Sequence, residues 1–139
     1  MLAGRCLGRG RIGFYGYSMG GYGGLRLAGL LGPDRVAAVA AVSSALFASA
    51  DRAAPGSFDG PVDFAAHDVN GRQAGLRGIG VRLDCGRGDP FLPANRRYRR
   101  GFDDDARPDG RFDPGGHDLD YWRRTAPEQL DFLARYLTA

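Results

Sequence analysis

Ile12-Gly13-Phe14-Tyr15-Gly16-Tyr17-Ser18-Met19-Gly20-Gly21 is the stretch on which the fold turns. A short apolar run leads into Gly16-Tyr17-Ser18-Met19-Gly20, a G-x-S-x-G pattern. In that pattern a strand turns so tightly into a helix that the serine sits at the tip in a strained conformation, its hydroxyl exposed. Bulky side chains at Gly16 or Gly20 are expected to clash in such a turn. Arg11 to Tyr15 reads as the strand and Met19 to Leu31 as the helix, so Ser18 is a candidate nucleophile. Gly20, Gly21, Gly23 and Gly24 are expected to let the helix approach its strands closely, with Leu25, Leu27, Leu30 and Leu31 as its apolar contacts. Gly32-Pro33 ends it.

Downstream, Val36 to Val42 is a continuous apolar run, as expected of a parallel strand covered on both faces. Two such strands flanking one helix make a βαβ unit, for which a right-handed crossover is strongly preferred. Periodicity is lost from Ser43 to Gly78, where Pro55-Gly56, Gly60-Pro61 and Asn70-Gly71 mark turns. An irregular segment this long shapes a functional surface, and a short helix is expected near Phe64 to Val69. Ile79 to Cys85 reads as a third buried strand running into the turn Gly86-Arg87-Gly88-Asp89-Pro90. Pro93 to Asp105 has helical character, Arg111-Phe112-Asp113 reads as a short strand, and Gly115-Gly116-His117 as a tight turn. Thr125-Ala126-Pro127-Glu128 reads as a capping box opening a C-terminal helix whose apolar positions are Leu130, Leu133 and Leu137. The expected organisation is one α/β domain over 1–139, with an elbow at 11–24, an excursion at 43–78, an acid strand and loop at 79–91, a histidine loop at 114–118 and a helix at 125–138.

Upstream, Met1 to Gly10 reads as a loop. Gly8-Arg9-Gly10-Arg11-Ile12-Gly13 is a literal G-x-G-x-x-G, but that fingerprint binds dinucleotides only after a strand and at the start of a helix, and here it precedes the strand. With 43% hydrophobic and 25% charged residues the chain is a soluble globular domain rather than a disordered or fibrous one. All 19 basic residues are arginine, and net charge is only +3. The run Arg96-Arg97-Tyr98-Arg99-Arg100 is followed by Asp103-Asp104-Asp105, which reads as a solvated helix face. No recognition motif accompanies it, so nucleic acid is not an expected partner.

Cys6 and Cys85 are too few for a disulfide framework and lack metal-ligand spacing with a histidine, and Cys85 reads as a buried structural thiol. Neither a metal nor a cofactor is called for. No stretch approaches the roughly 20 apolar residues of a membrane span. Met1 to Arg5 lacks the apolar region of a secretory signal. The chain as given carries no export or anchoring device and is cytoplasmic as it stands, its native location left open.

A serine hydroxyl becomes a good nucleophile when a histidine takes its proton, and that histidine needs a carboxylate to hold its tautomer. Of the two histidines, His117 follows two glycines after the last short strand, whereas His67 lies in the irregular excursion and reads as an exposed loop residue. Asp89 sits just beyond the third buried strand, on the edge of the sheet where the Ser18 turn must lie. Asp84 lies within the strand on the same face as Arg82 and reads as structural. Asp103, Asp104 and Asp105 belong to a charged helix end, and Asp118 is placed to fix the turn. The order Ser18, Asp89, His117 follows.

Three landmarks carry a family resemblance: GYSMGGYGG at Gly16 to Gly24, LDCGRGDPF at Leu83 to Phe91, and PGGHDLDYWRR at Pro114 to Arg124. From Arg11 onward the chain resembles the α/β-hydrolase superfamily, specifically the esterase group that includes esterase D (S-formylglutathione hydrolase) and the mycolyltransferases. The resemblance implies Ser18 as nucleophile, Asp89 as triad acid, His117 as base and the Met19 backbone N–H as an oxyanion donor, with Trp122 in packing. It implies a carboxylic-ester hydrolase acting on a small-molecule acyl ester, or an acyltransferase of mycolyl or diacylglycerol type with the same triad. In the family the elbow follows four strands and two helices, yet here it begins at residue 16. The expectation is therefore a C-terminal portion of the fold: three to four parallel strands, the N-terminal strands missing and the second oxyanion donor lost with them. Arg11 to Tyr15 would then form a bare edge open to self-association. An inactive remnant, or a false start at Met1, is the alternative.

Overall fold

The computed structural model describes residues 10–138. The loop and Cys6 before them, and the first two residues of the G-x-G-x-x-G, lie outside the described residues. The elements are β1 (Ile12–Tyr17), α1 (Met19–Leu31), β2 (Val36–Val42), α2 (Pro61–His67), β3 (Gly80–Gly86), α3 (Leu92–Arg100), β4 (Phe112–Asp113) and α4 (Leu119–Leu137). All pairings are parallel and the sheet order is β1-β2-β3-β4, so each strand lies beside its neighbour in sequence.

Every residue of β2 is buried. The reason is the period of two along a strand with a layer on each side. Val39 and Ala41 face a core that includes Leu25 and Ala28 of α1, while Ala38 and Ala40 pack with Phe132 and Leu133 of α4. β1 pairs with β2 on one side and, among the described residues, with no strand on the other. The short helix in the excursion begins slightly earlier than expected, at Pro61, because proline fits the first turn, where no N–H is needed.

The faces of the two long helices differ from expectation. In α1 the buried residues are Gly21, Gly24, Leu25 and Ala28, a helical stripe of mostly small side chains. Of the four leucines only Leu25 is buried, and Leu27, Leu30 and Leu31 are exposed. The sheet lies too close for larger residues: a β-carbon on Gly24 would already touch Phe14 and Val39, both at 3.4 Å. Gly20 and Gly23, by contrast, face open space.

Helix α4 starts at Leu119, six residues before the capping box read at Thr125. Asp118 is the N-cap, its carboxylate accepting from the Tyr121 N–H at 2.9 Å. Thr125 instead sits mid-helix and donates its hydroxyl to the Tyr121 carbonyl at 3.0 Å. Pro127 lies inside the helix and leaves the Arg123 carbonyl without its usual partner. Burial of Tyr121, Thr125, Gln129, Phe132 and Leu133 holds the helix together through that defect. Leu130 and Leu137 face outward.

Asp84 joins β3, β4 and α4. Its buried carboxylate accepts from Arg82 Nε at 2.7 Å, from the Arg111 N–H at 2.9 Å and from Gln129 Nε2 at 3.1 Å. Glu128 extends the network to Arg82 and Arg111. Asp84→Ala would remove the buried partner of the Arg82 guanidinium, leaving it only the half-exposed Glu128, and would take the acceptor from the Arg111 N–H and from Gln129 Nε2, at a cost of about 3 kcal/mol. Urea unfolding of the variant checks this value. Cys85 beside it is fully buried, and burial pushes its thiol up to about 12, which keeps it neutral.

Candidate active site

Ser18 occupies the turn between β1 and α1 with φ 55° and ψ −120°, a conformation that side chains rarely adopt. The turn is locked by its own backbone: the Ser18 N–H donates to the Val42 carbonyl at 2.9 Å, and the Ser18 carbonyl accepts from Ala45 at 3.0 Å. The required glycine is Gly16, where a β-carbon would overlap the carbonyl of Gly20. At Gly20 itself a β-carbon meets nothing within 4 Å, so the expected clash there does not exist. Gly16→Ala is expected to destabilise the fold by about 2–3 kcal/mol through overpacking. Gly20→Ala, in the first turn of a helix, is expected to be neutral or stabilising by about 0.5–1 kcal/mol. Thermal unfolding of the pair separates the two roles.

The residues read from sequence as acid and base meet this serine. His117 Nε2 lies 3.0 Å from Ser18 Oγ, and His117 Nδ1 lies 2.8 Å from Asp89 Oδ2. A carboxylate can only accept, so Nδ1 carries the proton and Nε2 presents its lone pair to the serine hydroxyl. Asp89 is held in turn: its Oδ1 accepts from the Phe91 N–H at 2.8 Å, and its side chain is fully buried. The three groups follow the C-terminal ends of β1, β3 and β4, one edge of a parallel sheet.

The loops carrying Asp89 and His117 are tied together beyond the strands. The Arg87 N–H donates to the Asp113 carbonyl at 2.7 Å and the Gly88 N–H to the Gly115 carbonyl at 2.8 Å. Gly115 has φ 151°, and a side chain there would run into the Tyr121 ring. Phe91 and Trp122 both contact the His117 ring, with centroids at 5.2 and 5.1 Å. Trp122 also stacks on Tyr17 at 4.4 Å, so its packing role serves the imidazole.

Met19 is the first residue of α1, and its N–H has no partner within the helix. The helix N-terminus places positive potential beside Ser18 Oγ. His67 is not part of this constellation. It lies on α2 with Nδ1 bonded to Asp63 at 2.8 Å.

Sequence reading missed Asn95, whose fully buried amide donates to the carbonyls of Ser44 and Phe91 and so joins the loops after β2 and β3. An asparagine in an arginine-rich helix gives no signal of that. The contact of Phe91 with His117 was likewise missed, although Phe91 closes the second sequence landmark.

A family model described as the alpha/beta hydrolase fold matches residues 3–131. Among solved structures, the chain is similar to a ferulic acid esterase, with 26% identity and a TM-score of 0.68 over 88% of this chain and 50% of that one. It is also similar to the S-formylglutathione hydrolase of Staphylococcus aureus, with 20% identity and a TM-score of 0.64 over 91% and 53%. A fluorophosphonate-binding serine hydrolase of Staphylococcus aureus gives 20% identity and a TM-score of 0.68 over 91% and 56%. At 20% identity the last two share the fold. The chain spans about half the length of these structures. No curated protein matches it.

Proposed function

The chain belongs to the alpha/beta hydrolase fold family, and on that premise we propose that it hydrolyses carboxylic esters through an acyl-enzyme on Ser18. The observation that carries this reading is the unbroken line of hydrogen bonds from Ser18 Oγ through His117 to Asp89. The ferulic acid esterase among its structural neighbours supports the reaction class. Ser18 Oγ attacks the ester carbonyl carbon while its proton passes to His117 Nε2. The new oxyanion takes a hydrogen bond from the Met19 N–H. Collapse breaks the bond to the alkoxy oxygen, which leaves with the proton from His117. Water then attacks the acyl-enzyme with His117 as base, and Ser18 is regenerated as the carboxylic acid departs.

The test is labelling of the purified chain with a fluorophosphonate, followed by peptide mapping. Modification at Ser18 is expected. A folded sample, verified by circular dichroism, that takes up no label would overturn the proposal.

A further inference from the structure

Asp89 and Ser18 reach His117 from different loops, and one buried side chain joins those loops behind the site. Asn95, near the start of α3, is fully buried, so a bound ester cannot touch it. Its Nδ2 donates to the Ser44 carbonyl at 2.9 Å and to the Phe91 carbonyl at 3.0 Å. Both partners can only accept, so the nitrogen must face them and Oδ1 must point away. Oδ1 is buried and has no hydrogen-bond partner among the described residues. A buried acceptor without a donor lowers stability, so the amide is explained by its two directed donors and not by packing.

Each donor leads back to the triad. The peptide group whose carbonyl accepts from Asn95 joins Ser44 to Ala45, and its N–H donates to the Ser18 carbonyl at 3.0 Å. On the other side, Phe91 accepts through its carbonyl and gives its own N–H to Asp89 Oδ1 at 2.8 Å. Asp89 Oδ2 meets His117 Nδ1, and His117 Nε2 meets Ser18 Oγ. The hydrogen bonds therefore close a ring that leaves Ser18 at its carbonyl and returns at its hydroxyl. Asn95 is the one side chain in that ring outside the triad. The backbone bonds of the loop after β3 lie elsewhere: Asp89 and Leu92 bond within the loop, and Arg87 and Gly88 bond to the histidine side. Phe91 also rests its ring on His117, with centroids 5.2 Å apart, so a shift of Phe91 would disturb the imidazole from two directions.

Resting on the esterase reading above, we infer that Asn95 is a positioning residue: it fixes the loop after β3 against the elbow and, through Phe91, holds Asp89 on His117. The test removes its two donors. In Asn95→Leu both carbonyls keep a backbone donor, the Asn95 N–H for Phe91 and the Leu46 N–H for Ser44, so the tie between the loops is lost while the local fold is retained. With a p-nitrophenyl ester, kcat per folded molecule is expected to fall about a hundredfold. KM should change less than about twofold, since Asn95 makes no contact with substrate. In an Asp89→Asn background the same substitution should lower kcat by less than about threefold, because the bond it supports is already gone. A merely structural role would give one factor in both backgrounds. If Asn95→Leu does not fold, Asn95→Ala removes the same donors without added bulk and is read in the same way. Equal factors in the two backgrounds, or a loss below about threefold in the parent chain, would overturn the inference.

A readout that needs no catalysis separates this inference from the esterase reading. The His117 Nδ1 proton, bonded to Asp89, should give a downfield ¹H NMR signal that moves upfield or is lost to solvent exchange in Asn95→Leu. A response of that signal to Asn95, in a chain that neither hydrolyses esters nor takes fluorophosphonate, leaves the positioning role standing and removes the esterase. Labelling at Ser18 with an unchanged signal in Asn95→Leu does the reverse.

Discussion

Ser18→Ala is expected to lower ester hydrolysis by a factor on the order of 10⁶ and to abolish fluorophosphonate labelling. On the proposed mechanism the hydroxyl is the atom that bonds to the acyl carbon, and among the described residues no other hydroxyl is hydrogen-bonded to His117. His117→Ala should cost about as much, because neither the serine nor the imidazole works without the other, and the double variant should be no worse than either single one. Stability should change little in Ser18→Ala, since the turn is held by backbone bonds to Val42 and Ala45 rather than by the side chain. Steady-state kinetics alongside urea unfolding checks both halves. Full labelling retained in the Ser18→Ala chain would remove Ser18 from the mechanism.

Asp89→Asn is expected to reduce kcat by about 10⁴ with the fold intact. The geometry says how. Oδ1 of Asp89 accepts from the Phe91 N–H, so an asparagine keeps its carbonyl oxygen there and turns its amide NH₂ toward His117 Nδ1. Nδ1 must then accept, and the proton moves to Nε2, where it faces Ser18. An imidazole in that tautomer cannot take the serine proton. ¹⁵N chemical shifts of the His117 ring should report the exchange of protonated and unprotonated nitrogens, which a merely structural role for Asp89 would not produce. Activity of the Asn variant within tenfold of wild type would show that Asp89 does not set the tautomer.

Much of the architecture was legible because local chemistry demanded it. The apolar run Val36 to Val42 could be satisfied only between two covering layers, and α1 has the bounds read for it. Ser18, Asp89 and His117 could be picked out because parallel strands share one edge and all three follow strand ends. The helix faces were less legible. Leucine spacing suggested that Leu27, Leu30 and Leu31 of α1 were inside, but how near the sheet lies is a tertiary fact, and that distance admits a stripe of Gly and Ala. Thr125 and Glu128 look like a capping box in isolation. Asp118 captures the Tyr121 N–H first, and the buried side of α4 carries the helix through Pro127.

By itself, then, the sequence determined the elbow, the strand order along the chain and the identity of the groups that meet at Ser18, since these follow from residue type and from position at strand ends. Only the tertiary structure decided that Phe91 and Trp122 bracket His117, that Asn95 joins two loops, and that His67 borders a cavity beside Met19. Those contacts join segments far apart in sequence. Their partners are chosen by how α1, α2 and the loops pack, and no local pattern in the chain encodes that.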